Sequence, residues 1–182
     1  MFFKGYQNTK MMDSTHISIA EKPLSNPSVK DIEEVYKRPF MCAGFARRYS
    51  EILLIGDVKD KRDELYVRSP AWNFQYHNRK IWSLEEGLFN PEILKRGMLL
   101  GIRLPHSIFN GRRDERGNPV RNTHMAVFKE TRPAAYGVEY VIAHNVGGDL
   151  LQENLFDFLQ RNEGSYVIDV FAPKEEKLLA KS

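Results

Sequence analysis

The chain is 182 residues long, 42% hydrophobic and 12% aromatic, and its formal charge of +3 is spread over interspersed acids and bases. That is apolar material enough for one cored domain; it argues against global disorder, and the charge balance does not argue for nucleic acid, whose binding would need a continuous positive face. A single cysteine, Cys42, excludes an internal disulfide and any multi-cysteine zinc site.

Residues 1–27 show no sustained period and close on Pro23, Asn26 and Pro27, the pattern of an arm or an irregular edge. The first residues lack the long apolar stretch of a secretory signal, and charges break every apolar run well short of the roughly 20 residues that a membrane span needs. The expectation is a protein cytoplasmic as made, delivered to a periplasm or cell wall by a secretion or phage system if it acts there. Ser28, with Asp31 three residues on, starts a short helix bearing Ile32, Val35 and Tyr36, which Pro39 ends. The next helix is predicted from Met41 to Leu54. Phe45, Tyr49, Ile52 and Leu53 form its apolar stripe, Arg47, Arg48 and Glu51 face outward, and Gly56 stops it.

Ser69-Pro70 is a cap and first-turn proline for a helix to about Asn78, from which Trp72, Tyr76 and Trp82 would pack. Past Gly97 the pattern turns extended. Met98 to Leu104 reads as a buried strand stopped by Pro105, and Ser107 to Val120 is polar and turn-rich. Strands are expected at about 123–129, 138–144 and 165–171. Between the last two, Asp149 with Gln152 reads as a capping box for a helix carrying Leu151, Leu155, Phe158 and Leu159. Helices first and a meandering sheet second is an α+β plan.

Cys42 falls at the predicted start of a helix, where free N–H groups and the macrodipole favour a thiolate. Ala43 and Gly44 leave room at the sulfur, and N–H groups at the same helix start are placed to steady an oxyanion. A free cysteine is equally at home as a small buried hydrophobe, so the thiol gains meaning from its partners. His124, Ala126 and Phe128 share one strand face, with Met125 and Val127 on the other. His144 ends the next strand. If those strands pair as a hairpin, the two imidazoles lie side by side, one meeting the thiol and the other holding its tautomer. Asn145 and Asp149 are the other candidates for that orienting role, although alternation turns Asn145 away from His144. His16, His77 and His106 read as surface or packing residues. A zinc site from Cys42, His124 and His144 is a stereochemical alternative.

Met41-Cys42-Ala43-Gly44-Phe45, the Gly97-Met98-Leu99-Leu100 strand start, His124-Met125-Ala126-Val127-Phe128 and Ile142-Ala143-His144-Asn145 together resemble the NlpC/P60 cysteine peptidases, a papain-like superfamily of cell-wall hydrolases. In that family the nucleophile motif commonly reads Asp-Cys-Ser-Gly-Phe; Met41 and Ala43 depart from it, as does Met98 from the Asp that usually follows the strand-opening glycine. The resemblance runs over about 30–172 and implies a papain-like α+β fold with N-terminal helices packed on a mainly antiparallel sheet. With the arm read over 1–27 and a charged tail over 174–182, it places an NlpC/P60-like catalytic domain over 28–173. It also implies a Cys42–His124–His144 triad cutting amide bonds of peptidoglycan stem peptides through an acyl-enzyme, without a cofactor. Tyr36 corresponds to a family tyrosine upstream of the nucleophile and joins Ala43, Gly44 and Asn145 as the substrate-binding set. Peptidoglycan or muropeptides are the expected partners, with an inhibitor protein a further one. The Arg112–Arg116 loop is either a reader of muropeptide carboxylates or a solvated hairpin tip. Transacylation or deamidation at the same site, and a non-catalytic wall-binding or phage-like structural module, are the alternative functions.

Overall fold

Alternating Val, Ile, Phe and Ala residues in the second half of the chain build one antiparallel sheet, and the Phe45–Tyr49–Ile52–Leu53 stripe lays a helix across it. The computed structural model describes residues 22–23, 36–37, 39, 41–55, 78–114 and 116–173. In chain order these form β1 (Lys22–Pro23), α1 (Cys42–Ile55), β2 (Asn78–Ser83), β3 (Leu99–Arg103), β4 (His124–Ala134), β5 (Gly137–Val146), β6 (Asp149–Asn154), α2 (Leu155–Arg161) and β7 (Tyr166–Pro173). Six longer strands and the two-residue edge strand β1 lie in the order β1-β6-β5-β4-β3-β7-β2, every neighbouring pair antiparallel. The architecture is α+β. No helix among the described residues is long and apolar enough to cross a membrane.

Each face of the sheet has its own apolar layer. On one side Ala43, Phe45, Ala46, Tyr49, Ile52 and Leu53 of α1 pack on Leu99, Met125, Val127, Ala143 and Phe171. On the other, Leu155 and Phe158 of α2 join Trp82, Leu100, Ile102, Ala126, Phe128 and Ile142. The alternation of β4 over 124–128 assigns these residues to the two layers, as the sequence pattern predicts, before the register shifts between Phe128 and Glu130. Fully burying an aliphatic or aromatic side chain contributes about 1.5–3 kcal/mol, so these layers hold α1 and α2 against the sheet.

Several expectations meet corrections. The 149–154 segment is a strand, because Gly147 (φ +65°) and Gly148 (φ +114°) close a tight hairpin that folds it back onto β5. The helix then starts one turn later than the capping-box reading put it, with the Asn154 side chain accepting from the Phe156 N–H. Residues 78–83 are a strand, and Trp82 packs from it against Phe89 at 5.2 Å. Trp72 and Tyr76, the helices proposed over 28–38 and 69–78 apart from Tyr36, Lys37 and Asn78, and Gly56 lie outside the described residues. Arg48 does not face solvent. It is 4% exposed and donates to Glu51 at 2.9 Å, beneath the Tyr36 hydroxyl.

Candidate functional site

The β4–β5 ladder ends at Ala126↔His144, although β4 begins two residues earlier at His124 and β5 continues to Val146. At that fork the strands part, and a cavity of about 650 Å³ opens. Thr123 and His124 line it from one strand, and Asn145, Val146 and Gly147 from the other. Cys42, the first residue of α1, closes one side, while Phe158, Arg161 and Asn162 of α2 and its C-terminal cap reach it from the opposite layer. The fork is what lets a thiol from the α1 face share a space with an imidazole from the α2 face. The outer wall is apolar, formed by Leu104, Pro105, Ile108 and Phe109 of the loop after β3.

Behind this cavity the two histidines meet as the hairpin register requires. His124 Nε2 is 2.9 Å from His144 Nδ1, with the rings edge to face at 5.1 Å. His144 is fully buried and His124 6% exposed, both against the Phe158 ring. His144 Nε2 is in turn 2.8 Å from Glu153 Oε1 on β6, and Glu153 Oε2 accepts from Arg161 at 2.6 Å. A continuous line of contacts therefore runs from the cavity through two imidazoles to a buried carboxylate and a half-exposed guanidinium. His124 Nδ1 accepts or donates no hydrogen bond among the described residues.

Cys42 is partly exposed, and it shares the cavity with His124 without a direct hydrogen bond between thiol and ring. Burial pushes the thiol above its ordinary value; the backbone N–H groups of Met125, Ala43 and Cys42 itself pull the other way and do not overcome it. The helix start therefore bears on the sulfur as predicted, yet the net direction is opposite to a preformed thiolate. Burial, with the His144 ring added, holds His124 well below the usual histidine value. Glu153 is pushed up by burial, but the hydrogen bonds from His144 and Arg161 outweigh that and leave its carboxyl below the ordinary range. The resting pair is thus neutral thiol and neutral imidazole, with the negative charge parked on Glu153.

The remaining predicted site residues separate into two groups. Asn145 lines the cavity while its side chain donates to the Tyr36 carbonyl and accepts from the Gly148 N–H at 3.1 Å, which ties the β5–β6 turn to the segment before α1. Tyr36, Ala43 and Gly44 do not line the cavity. Tyr36 is 2% exposed, its ring edge-on to Phe45 and its hydroxyl against Arg48, and Ala43 packs into the α1 layer. His106 lines the rim and Asp149 is exposed on the β5–β6 hairpin; His16 and His77 lie outside the described residues. The Arg112–Arg116 tip stands off the cavity. Asp114 accepts the backbone N–H groups of Arg116 and Asn118, Arg113 donates to the Gly117 carbonyl, and the Arg112 guanidinium sits 5.6 Å from the Phe109 ring centre.

Glu153 and Arg161 are not among the residues the sequence singles out, because the Asp149–Gln152 pattern reads as a helix start and hides the strand that carries Glu153 to His144. The Gly147-Gly148 pair was the available signal for a hairpin, and a hairpin would have placed Glu153 beside His144. Among the described residues no group of three or more His, Cys, Asp or Glu side chains is arranged to hold a metal ion. The chain matches no family model, no curated protein and no solved structure.

Proposed function

We propose that the protein is a cysteine hydrolase of NlpC/P60 type, cutting an amide bond in a peptidoglycan stem peptide through an acyl-enzyme. The observation that carries this reading is the fork between β4 and β5, where Cys42 shares a cavity with His124 and His124 is backed by His144. The chemistry follows from the two neutral groups. As the thiol sulfur bonds to the substrate carbonyl carbon, its proton passes to His124, at the ring nitrogen that His144 leaves open. Backbone N–H groups at the start of α1 face the developing oxyanion. Collapse breaks the C–N bond, and His124 returns the proton to the leaving amine. Water, deprotonated by the same nitrogen, then attacks the thioester and frees Cys42.

A general-base route suits this site better than a standing ion pair. Burial disfavours charge on both the sulfur and the ring until substrate arrives. Purified peptidoglycan incubated with the protein should release fragments whose masses show addition of one water at a stem-peptide amide, and the Cys42→Ala protein should release none. Equal product from both proteins would end the proposal. Transfer of the acyl group to an added amine in preference to water would reassign the site as a transacylase.

A further inference from the structure

The two imidazoles lie in a chain whose proton polarity is set at its far end. Glu153 is held in β6 opposite Ile142, with its side chain 2% exposed and both carboxylate oxygens engaged. Oε2 takes a hydrogen bond from Arg161, which leaves Oε1 for His144 Nε2 at 2.8 Å. An ionised carboxylate only accepts. His144 Nε2 must therefore carry a hydrogen, and in a neutral ring its Nδ1 then bears the lone pair. With His144 neutral, that lone pair faces His124 Nε2 at 2.9 Å, and in this state of the relay the His124 hydrogen sits on Nε2 and its lone pair on Nδ1.

We infer that Glu153, clamped by Arg161, is a positioning residue that directs the two-histidine relay and makes His124 Nδ1 the basic atom. The inference rests on the reading of Cys42 and His124 as nucleophile and base. When the S–H bond breaks and the S–C bond forms, the proton is received at Nδ1, and the positive charge on His124 is answered through His144 by the Glu153 carboxylate. No proton leaves the protein in that step. Reversing the relay would put a hydrogen on Nδ1, where it blocks transfer.

A glutamine at 153 tests the direction because it keeps the size and makes one terminal atom a donor. Arg161 has donors only, so the amide oxygen of Glu153→Gln turns to Arg161 and the amide NH₂ turns to His144. The relay then runs backwards. Removing the guanidinium in Glu153→Gln/Arg161→Met frees the amide to present its oxygen to His144 and restores the original direction. Nitrogen-15 spectra of the imidazoles, five in the chain, read the tautomers directly. The expected results are His124 protonated on Nε2 in the wild-type protein, on Nδ1 in Glu153→Gln, and on Nε2 again in the double variant. Peptidoglycan hydrolysis should fall about 10²–10⁴-fold in Glu153→Gln, the usual contribution of general-base catalysis, and recover in part in the double variant.

A wild-type His124 protonated on Nδ1, or the same tautomers in wild-type and Glu153→Gln proteins, would overturn the inference. The wild-type spectrum decides even if a variant does not fold. Tautomers that switch as expected in a protein without hydrolase activity would leave the relay standing and remove the hydrolase reading instead.

Discussion

The reactivity of Cys42 toward an alkylating agent, followed across pH, tests the electrostatics on which the mechanism depends. The structure makes thiol and imidazole a neutral pair, because burial raises the Cys42 thiol and lowers His124. A thiol at the ordinary value of about 8.5 is about 3% thiolate at pH 7, and each further unit upward removes about another factor of ten. A thiolate–imidazolium pair would instead be almost wholly ionised at pH 7, about 30-fold above the ordinary thiol. With iodoacetamide, the rate should climb about tenfold per pH unit from pH 5 to beyond pH 8.5, with no plateau at the acid end. Because Cys42 is the sole cysteine, whole-protein mass reports the reaction without ambiguity. Hindered access lowers the whole curve and leaves its slope unchanged. Hydrolysis should behave differently and already be at its plateau below about pH 6.5, because the base is His124, held well below the usual histidine value, and it takes the proton only as the sulfur attacks. A flat alkylation rate between pH 5 and 8 would refute the neutral-pair reasoning and restore the preformed thiolate.

Cys42→Ser should lose at least about 10³-fold in turnover while its melting midpoint moves little, since the replaced atom sits at a cavity edge; hydrolysis assays and thermal melts on one preparation check both. The buried neutral His124 makes folding stability pH-dependent. Its folded value lies below the unfolded value of about 6.5, so the unfolded chain binds the proton first as pH falls. Its contribution is nil well above pH 6.5 and turns into a loss approaching about 1.4 kcal/mol per pH unit below it, levelling off only under the folded value. Urea midpoints at pH 5 to 8 should show that loss in the wild type and a shallower one in His124→Asn. Gly101→Ala should destabilise by about 2–5 kcal/mol from overpacking and a weakened hydrogen bond to a buried charge. The added Cβ would stand 2.2 Å from Asn122 Oδ1, and Asn122 Nδ2 donates to the fully buried Asp169 at 3.2 Å. Adding Asn122→Ala should remove the clash, so the two substitutions together cost less than their sum in urea denaturation.

Much of the scaffold was legible because it follows local patterns. The α1 stripe recurs at helical spacing, and the two layers of β4 follow from plain alternation, so Met125 and Ala126 were assignable to opposite faces before any fold was known. The errors arose where two local signals competed. Asp149 and Gln152 mimic a capping box, yet the glycines before them make a hairpin; pairing with β5 then outweighed the helical preference of Leu150 and Leu151. The charge of Arg48 predicts a solvent-facing side chain, whereas Tyr36 and Glu51 satisfy it in a buried position.

From the sequence alone come the identities of the reactive groups and their order, one thiol before two histidines on strands, because side-chain chemistry and strand period are properties of the chain itself. Whether those groups meet is a different matter. The tertiary fold parts β4 from β5 at His124, brings the start of α1 to that opening and turns β6 back so that Glu153 reaches His144. It also reverses the expected thiol bias, since desolvation depends on everything packed around the sulfur and no local pattern encodes it.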